Sequence, residues 1–213
     1  MKHFVILMAC LAVLCVQPAE AALFSTTPTA DGYALHEYNT NNPWYGLDTS
    51  SPFLDVYIGT IVVTTEARSV LEFNIFAVPS GSTIQSAKLY LYASLFDENI
   101  GVYGYVGNGT IELGDFTDIL SQTATFSPAL SNEIDVTPFV SGLFPSGTNF
   151  VGFQLRELIP PDYNDFFSSE ASDESLRPLL VIEYTPVPEP GTMMLLGSGL
   201  VGLVGYGRKR MKK

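Results

Sequence analysis

Chemistry needs side chains that bind metals, move protons or attack carbon, and this chain offers few arrangements of them. Its two histidines are His3 and His36. The segment Tyr33-Ala34-Leu35-His36-Glu37-Tyr38 alternates in polarity, so His36 reads as a strand residue with one face in water. A Ser-His-Asp triad or a Tyr/His lyase site would have to be built on it. Acids are abundant, 22 in all. That abundance makes acid pairs uninformative in sequence, because a glycosidase is defined by carboxylate separation in space. Calcium is the better metal expectation, since it takes Asp and Asn oxygens from loops. Asp162-Tyr163-Asn164-Asp165 and Ser172-Asp173-Glu174 read as such loops, with Asp162, Asn164, Asp165 and Asp173 as candidate ligands. Asp97-Glu98-Asn99 is a further acidic loop, and no stretch has EF-hand spacing.

Aromatic rings stack on pyranose faces and keep an amphipathic edge. The pool is Trp44, Tyr45, Tyr90, Tyr92, Tyr103, Tyr105 and Tyr163. The Tyr90/Tyr92 and Tyr103/Tyr105 pairs alternate along strands, where rings stabilise a sheet across neighbouring strands. Trp44 and Tyr45 sit in the loop-like stretch Asn41-Asn42-Pro43-Trp44-Tyr45-Gly46. With Tyr163 they are the candidate glycan-stacking residues. Arg68, Lys88, Arg156 and Arg177 could pair with uronate carboxylates.

The two ends of the chain carry addresses. Lys2 and His3 precede an apolar run from Phe4 to Val16, then Gln17-Pro18 and Ala19-Glu20-Ala21. This order of basic, apolar and small-x-small residues reads as a secretory signal peptide, residues 1–21, cleaved after Ala21 or one residue later. Cys10 and Cys15, the chain's two cysteines, leave with it, so the exported part holds no disulfide, thiolate metal site or cysteine nucleophile. At the other end Val187-Pro188-Glu189-Pro190-Gly191 is followed by an apolar run, residues 192–207, and then Arg208-Lys209-Arg210-Met211-Lys212-Lys213. The run is short against the ~20 residues of a full span, although flanking Arg/Lys can snorkel. The basic end should stay cytoplasmic. Box, short transmembrane segment and basic tail in this order resemble the PEP-CTERM sorting signal of Gram-negative bacteria. That resemblance, over residues 187–213, implies recognition by an exosortase at Pro188, Glu189 and Pro190 and a link to exopolysaccharide production. A plain C-terminal anchor would differ only in keeping its tail.

Between the ends, Glu20 and Glu189 drop out of the 22 acids, leaving 20 against the four cations named above, a charge near −16. Nucleic acid, which needs clustered Lys/Arg, is excluded as a partner. Residues 22–186 show period-two alternation and no sustained helical period. Leu71, Phe73 and Ile75 face one way between Arg68 and Phe76; Ala87, Leu89 and Leu91 do so in Ile84–Ala93. Val102–Val106, Phe150–Leu155 and Leu179–Tyr184 are further strands, separated by turns such as Pro79-Ser80-Gly81-Ser82 and Gly107-Asn108-Gly109. Thr137 as N-cap with Pro138 as first helical residue predicts one short helix covering an open end. The fold expected is an all-β, jelly-roll-like β-sandwich, with the signal peptide before it and a short C-terminal transmembrane helix after it.

The series Arg68-Ser69-Val70-Leu71-Glu72-Phe73, Val78-Pro79-Ser80-Gly81-Ser82-Thr83-Ile84-Gln85-Ser86-Ala87-Lys88-Leu89-Tyr90, Gly152-Phe153-Gln154-Leu155 and Arg177-Pro178-Leu179-Leu180-Val181-Ile182-Glu183-Tyr184 resembles a DNRLRE domain. Such domains are similar to carbohydrate-binding module family 96, which implies a β-sandwich that binds acidic polysaccharide such as alginate. Where those domains carry Trp-Glu-Thr-Trp-Asn-like residues, this chain has Thr110–Phe116, Thr-Ile-Glu-Leu-Gly-Asp-Phe. The expectation is an exported cell-surface or matrix protein, membrane-held before processing, that binds or scaffolds extracellular polysaccharide without turnover. An envelope protein packing against other proteins, and a polysaccharide lyase or hydrolase, are the alternatives. An acidic domain repels an acidic polymer, so calcium bridging or a neutral glycan is favoured over bare contact with alginate. Intact-mass measurement on protein from its host envelope should give a first residue of Ala22 or Leu23; a mass retaining Cys10 would refute the signal-peptide reading.

Overall fold

The computed structural model describes residues 20–38, 44–60, 63–117, 122–128, 132–144 and 147–187. In the tail it describes residues 197, 199–204 and 206–208. The strands in chain order are β1 (Ala22–Thr26), β2 (Ala30–Glu37), β3 (Tyr45–Asp48), β4 (Phe53–Thr60) and β5 (Thr64–Asn74). Then come β6 (Thr83–Tyr90), β7 (Ala93–Leu95), β8 (Ile100–Val106), β9 (Gln122–Phe126) and β10 (Glu133–Asp135). After the helix α1 (Thr137–Leu143) follow β11 (Phe150–Glu157), β12 (Asp162–Phe167) and β13 (Leu179–Thr185).

All of these strands pair antiparallel, in two sheets. The smaller runs β1-β13-β6-β10; the larger runs β7-β12-β4-β5-β11-β8-β9, with β2 and β3 attached at β5. Between the sheets Leu71, Phe73, Leu89, Phe153, Leu180 and Ile182 are among the residues that form the main core. The all-β sandwich and most of its expected strands are therefore present. Three expectations need correction. Asp162–Asp165 is strand, not loop, because Tyr163, Phe166 and Phe167 gain more by burial and cross-strand contact than two acids lose in a turn. Thr137 is not the N-cap: Val136 occupies that position, Asp135 accepts from Thr137 N at 3.0 Å, and the Thr137 hydroxyl bonds to Ala87 on β6. In the tail the described residues 197, 199–204 and 206–208 are helical, and no helix among the described residues is long and apolar enough to cross a membrane. The signal peptide falls outside the described residues but for its last two, Glu20 and Ala21.

The large sheet forks at β5. One edge of β5 carries β2 along Thr65–Glu72. The other edge is shared, β4 pairing with Thr64–Ala67 and β11 with Ser69–Asn74. β4 therefore leaves β5 beyond Tyr57. Buried Ser69 marks the place, donating its hydroxyl to the Asp55 carbonyl at 2.8 Å. Tyr57 is paired with Ala67 and so shares a face with Ala67, Leu71 and Phe73. Yet Leu54 and Val56, on the opposite face of β4, lie in the same core as Leu71 and Phe73. Both hold only if the β4–β12–β7 part of the sheet folds up sharply at the fork. One of its faces then closes the core, and the other, with Phe53, Asp55 and Tyr57, turns toward β2.

The far face of β5 is covered as well. Ala34, Trp44, Val70, Tyr105 and Phe116 form a second cluster there. Arg68 lies across the Trp44 ring at 4.6 Å, and its guanidinium donates to Glu66 Oε1 at 2.5 Å, Glu66 Oε2 at 3.1 Å and the Phe116 carbonyl at 2.9 Å. Fully buried Glu72 accepts from the backbone N–H of Asn108 and Gly109, pinning the covering loop. A Cβ at Gly107 would come within 2.7 Å of that carboxyl. Burial holds the Glu72 pKa above its ordinary value, with the two N–H groups opposing.

Ser69→Ala should cost about 1–3 kcal/mol, because the buried Asp55 carbonyl loses its partner at the fork. Urea unfolding checks this; a change within error would show that the hydroxyl does not hold β4.

Candidate functional site

The upturned sheet presents a ladder of paired side chains. Register places Phe53 opposite Phe167, Asp55 opposite Asp165 and Tyr57 opposite Tyr163. The Phe rings are 5.5 Å apart, and the Tyr rings are stacked, also at 5.5 Å. An acid pair thus sits between two aromatic pairs. Strand alternation does this: Leu54, Val56 and Phe166 go into the core, so their neighbours must come out on one face.

β2 and β3 supply the facing wall. Tyr33 lies within electrostatic reach of Asp55, Asp48, Tyr57 and Asp165. Tyr45 is coupled to Tyr57 in the same way, and its hydroxyl donates to Glu37 at 2.7 Å. Gly32 permits this approach: a Cβ there would be 2.5 Å from the Asp48 carbonyl. Asp48 is fixed in turn by the N–H groups of Ser50 at 2.8 Å and Ser51 at 3.0 Å, which lower its pKa. Tyr33, Tyr45, Tyr57 and Tyr163 thus gather around Asp55 and Asp165 in a corner between β2 and the upturned sheet.

Electrostatics in this corner favours a shared proton. Burial, followed by the hydrogen bond and charge of Asp55, raises the Asp165 pKa to about 7. Asp165 Oδ1 is buried without a hydrogen-bond partner. Tyr163 is pushed up to about 12, first by burial and then by Asp55 and Asp165, so its hydroxyl stays a neutral donor. Two carboxyls within hydrogen-bonding distance cannot both ionise cheaply.

The expected site residues are divided by this geometry. Tyr45 and Tyr163 are brought together through Tyr57. Trp44 is only 6% exposed, with Arg68, Phe116 and His36 against its ring, so it belongs to the cluster on the far face. Of the calcium candidates, Asp165 belongs to the acid pair. Asn164 is fully buried on the opposite face, its amide donating to Glu157 at 2.7 Å and accepting from Asp97 N at 3.1 Å. Asp162 is on the Asn164 side of β12, and Asp173 caps the short turn Glu174–Leu176 by accepting from Ser175 N. These four do not converge. Among the described residues no group of three or more His, Cys, Asp or Glu could hold a metal ion. His36 alternates away from the corner, toward Tyr38 and Trp44. Sequence reasoning missed Tyr33, Tyr57 and Asp55. The signal available was the odd-numbered series Phe53, Asp55, Tyr57 on a strand whose even positions are apolar.

The four domain cations all have partners: Arg68 with Glu66, Lys88 with Glu133 and Asp135, and Arg177 with Glu174. Arg156 hydrogen-bonds Gln154 and lies over Tyr103.

Residues 186–210 match the PEP-CTERM protein-sorting motif. A motif of this kind implies export and a membrane-anchored precursor, so the chain is an exported protein sorted by an exosortase. Its box residues Pro188, Glu189 and Pro190 lie outside the described residues. No curated protein matches the chain.

The sign of the pH effect follows from the raised pKa. The unfolded Asp165 titrates near 3.8 and the folded one near 7, so the native state binds more protons between those values. This contribution is full below the unfolded value and is lost as pH rises toward 7. Asp165→Asn should therefore raise the thermal midpoint by a few degrees at pH 8 and leave it nearly unchanged at pH 3.5. A midpoint lowered at pH 8 would contradict the shared proton.

Proposed function

We propose that the sandwich is a DNRLRE-like, non-catalytic module by which this exported protein binds extracellular polysaccharide, and that the corner between β2 and the β4–β12 pair is its binding face. The observation that carries the reading is the Asp55–Asp165 pair set between the stacked Tyr57–Tyr163 rings and the tilted Phe53–Phe167 rings, with Tyr33 and Tyr45 opposite. Rings flanking polar groups suit a pyranose, whose faces are apolar and whose edge carries hydroxyls. A carboxyl pair sharing one proton can both donate to and accept from those hydroxyls.

The same corner favours an uncharged glycan over a uronate polymer. Lys88 and the three arginines are already engaged, and a carboxylate brought to an acidic face meets repulsion. An alginate-like polymer would need a bridging cation, for which this corner offers two carboxylates. The exosortase remains the partner of the tail, and a cell-surface or matrix location follows from the sorting motif in this reading.

Affinity gels cast with neutral or acidic host exopolysaccharide test it. Retardation should appear in the neutral gel and, in the acidic gel, only with calcium. Tyr57→Ala and Tyr163→Ala should each weaken retention about tenfold, the ~1.4 kcal/mol of a lost ring contact. Trp44→Phe should lower stability and leave retention unchanged. Loss of retention in Trp44→Phe but not in the tyrosine variants would move the site to the far face. New reducing ends on incubation would overturn the non-catalytic reading.

A further inference from the structure

Where the chain leaves the sandwich, the surface changes character. β1 begins at Ala22 opposite Tyr184, and β13 ends at Thr185, so both ends of the domain emerge side by side. Beside them lies an open groove of about 830 Å³, lined by Phe76, Val78, Phe144, Thr148, Asn149 and Val187 among others. None of its described lining residues carries a charge, in a domain that holds 20 acids.

Phe76 is 74% exposed, the most exposed large apolar side chain among the described residues of the sandwich. It is held out by an ordered turn: Asn74 Oδ1 accepts from Phe76 N at 2.9 Å, and Val78 N donates to the Ile75 carbonyl at 3.0 Å. Leaving a Phe in water costs free energy that a polar residue at this turn would not. Val187, itself 55% exposed and part of the groove wall, is the last described residue before the sorting box. From Val187 to Thr192, where the apolar run starts, five residues reach at most about 17 Å.

We infer that this groove, with Phe76 at its rim, is the face on which the sandwich rests against the outer surface of the bilayer while the precursor is anchored. The inference rests on the anchored-precursor reading of the sorting motif and is independent of the glycan proposal. The occupant is lipid for two reasons. The tether delivers this end, and no other, to within about 17 Å of the apolar run. An anionic headgroup layer repels an acidic domain, and the groove, whose described lining carries no charge, is the part of this end that can approach it closely. An aromatic ring at the headgroup boundary then gains the burial that it lacks in water. With the sandwich seated in this way, the short linker carrying Pro188, Glu189 and Pro190 is held at the membrane surface.

The test uses the full chain, tail included, in vesicles of phosphatidylethanolamine and phosphatidylglycerol with brominated acyl chains. Phe76→Trp and Val187→Trp are compared with Ile159→Trp, which follows the far end of β11. Phe150 to Glu157 spans about 23 Å of strand, so the control lies well away from the groove. Native Trp44 is subtracted using the unsubstituted chain. The two groove variants should show blue-shifted emission, with about half lost to the brominated lipid, and Ile159→Trp should be almost unquenched. Equal quenching at all three positions, or none at the groove in chain that floats with the vesicles, overturns the inference. A blue shift that depends on protein concentration and not on lipid assigns the groove to a second copy and also overturns it. Failure of the chain to float refutes the anchored-precursor reading and the inference with it. Because Val187 is exposed and ends a loop, its variant keeps the test valid if Phe76→Trp folds poorly.

Discussion

The sandwich depends on the fork at β5. A strand has two edges, and β5 must serve three neighbours, so β4 and β11 divide one edge between them. Ser69 is placed where the division occurs, and its hydroxyl replaces the ladder bond that the Asp55 carbonyl loses as β4 departs. The consequences run outward from there. Leu54 and Val56 are swung into the core above Leu71. Asp55 and Tyr57 are swung out, and with their β12 partners they become the floor of a corner. A flat continuation of the sheet would have turned Asp55 and Tyr57 to the core face, beside Leu71 and Phe73.

Much of this was legible in the residues, for physical reasons that differ by region. β5, β6 and β11 carry period-two patterns because each has one face in the main core, and β13 reads as a more continuously apolar run. The Gly107-Asn108-Gly109 turn was legible because only glycine leaves room beside Glu72 and accepts the φ of 91° at Gly109. β12 was not. Asp162, Asn164 and Asp165 look like loop residues, and what makes them strand is the cross-strand company of Phe53, Asp55 and Tyr57. The corner itself was only half visible. Tyr45 and Tyr163 could be picked as rings, but nothing local says that Trp44, next to Tyr45, turns to the opposite side to lie under Arg68. Neighbours on a strand face opposite ways, and only the register says which way is inward.

Charge organises the rest of the surface. The domain's few cations are spent on internal partners, Arg68 and Glu66 deeply, Lys88 and Arg177 nearer to water. Two surfaces stand out against the acids: the groove beside the chain ends, whose described lining carries no charge, and the tyrosine-lined corner, where an uncharged partner escapes the repulsion that an anion meets. One lies beside the point from which the sorting tail leaves, and the other is on the upturned sheet. A protein held to a membrane at one end and to a neutral polymer elsewhere would use both.

The corner's identity as a binding face turns on the proton shared by Asp55 and Asp165. Carboxyl-carbon NMR across a pH titration, with and without neutral oligosaccharide from the host matrix, observes that proton directly. A shared proton gives Asp165 a titration step near 7, displaced when sugar is added, together with shifts at the Tyr57 and Tyr163 rings. An Asp165 step at the ordinary value of 3.8, indifferent to sugar, would contradict it.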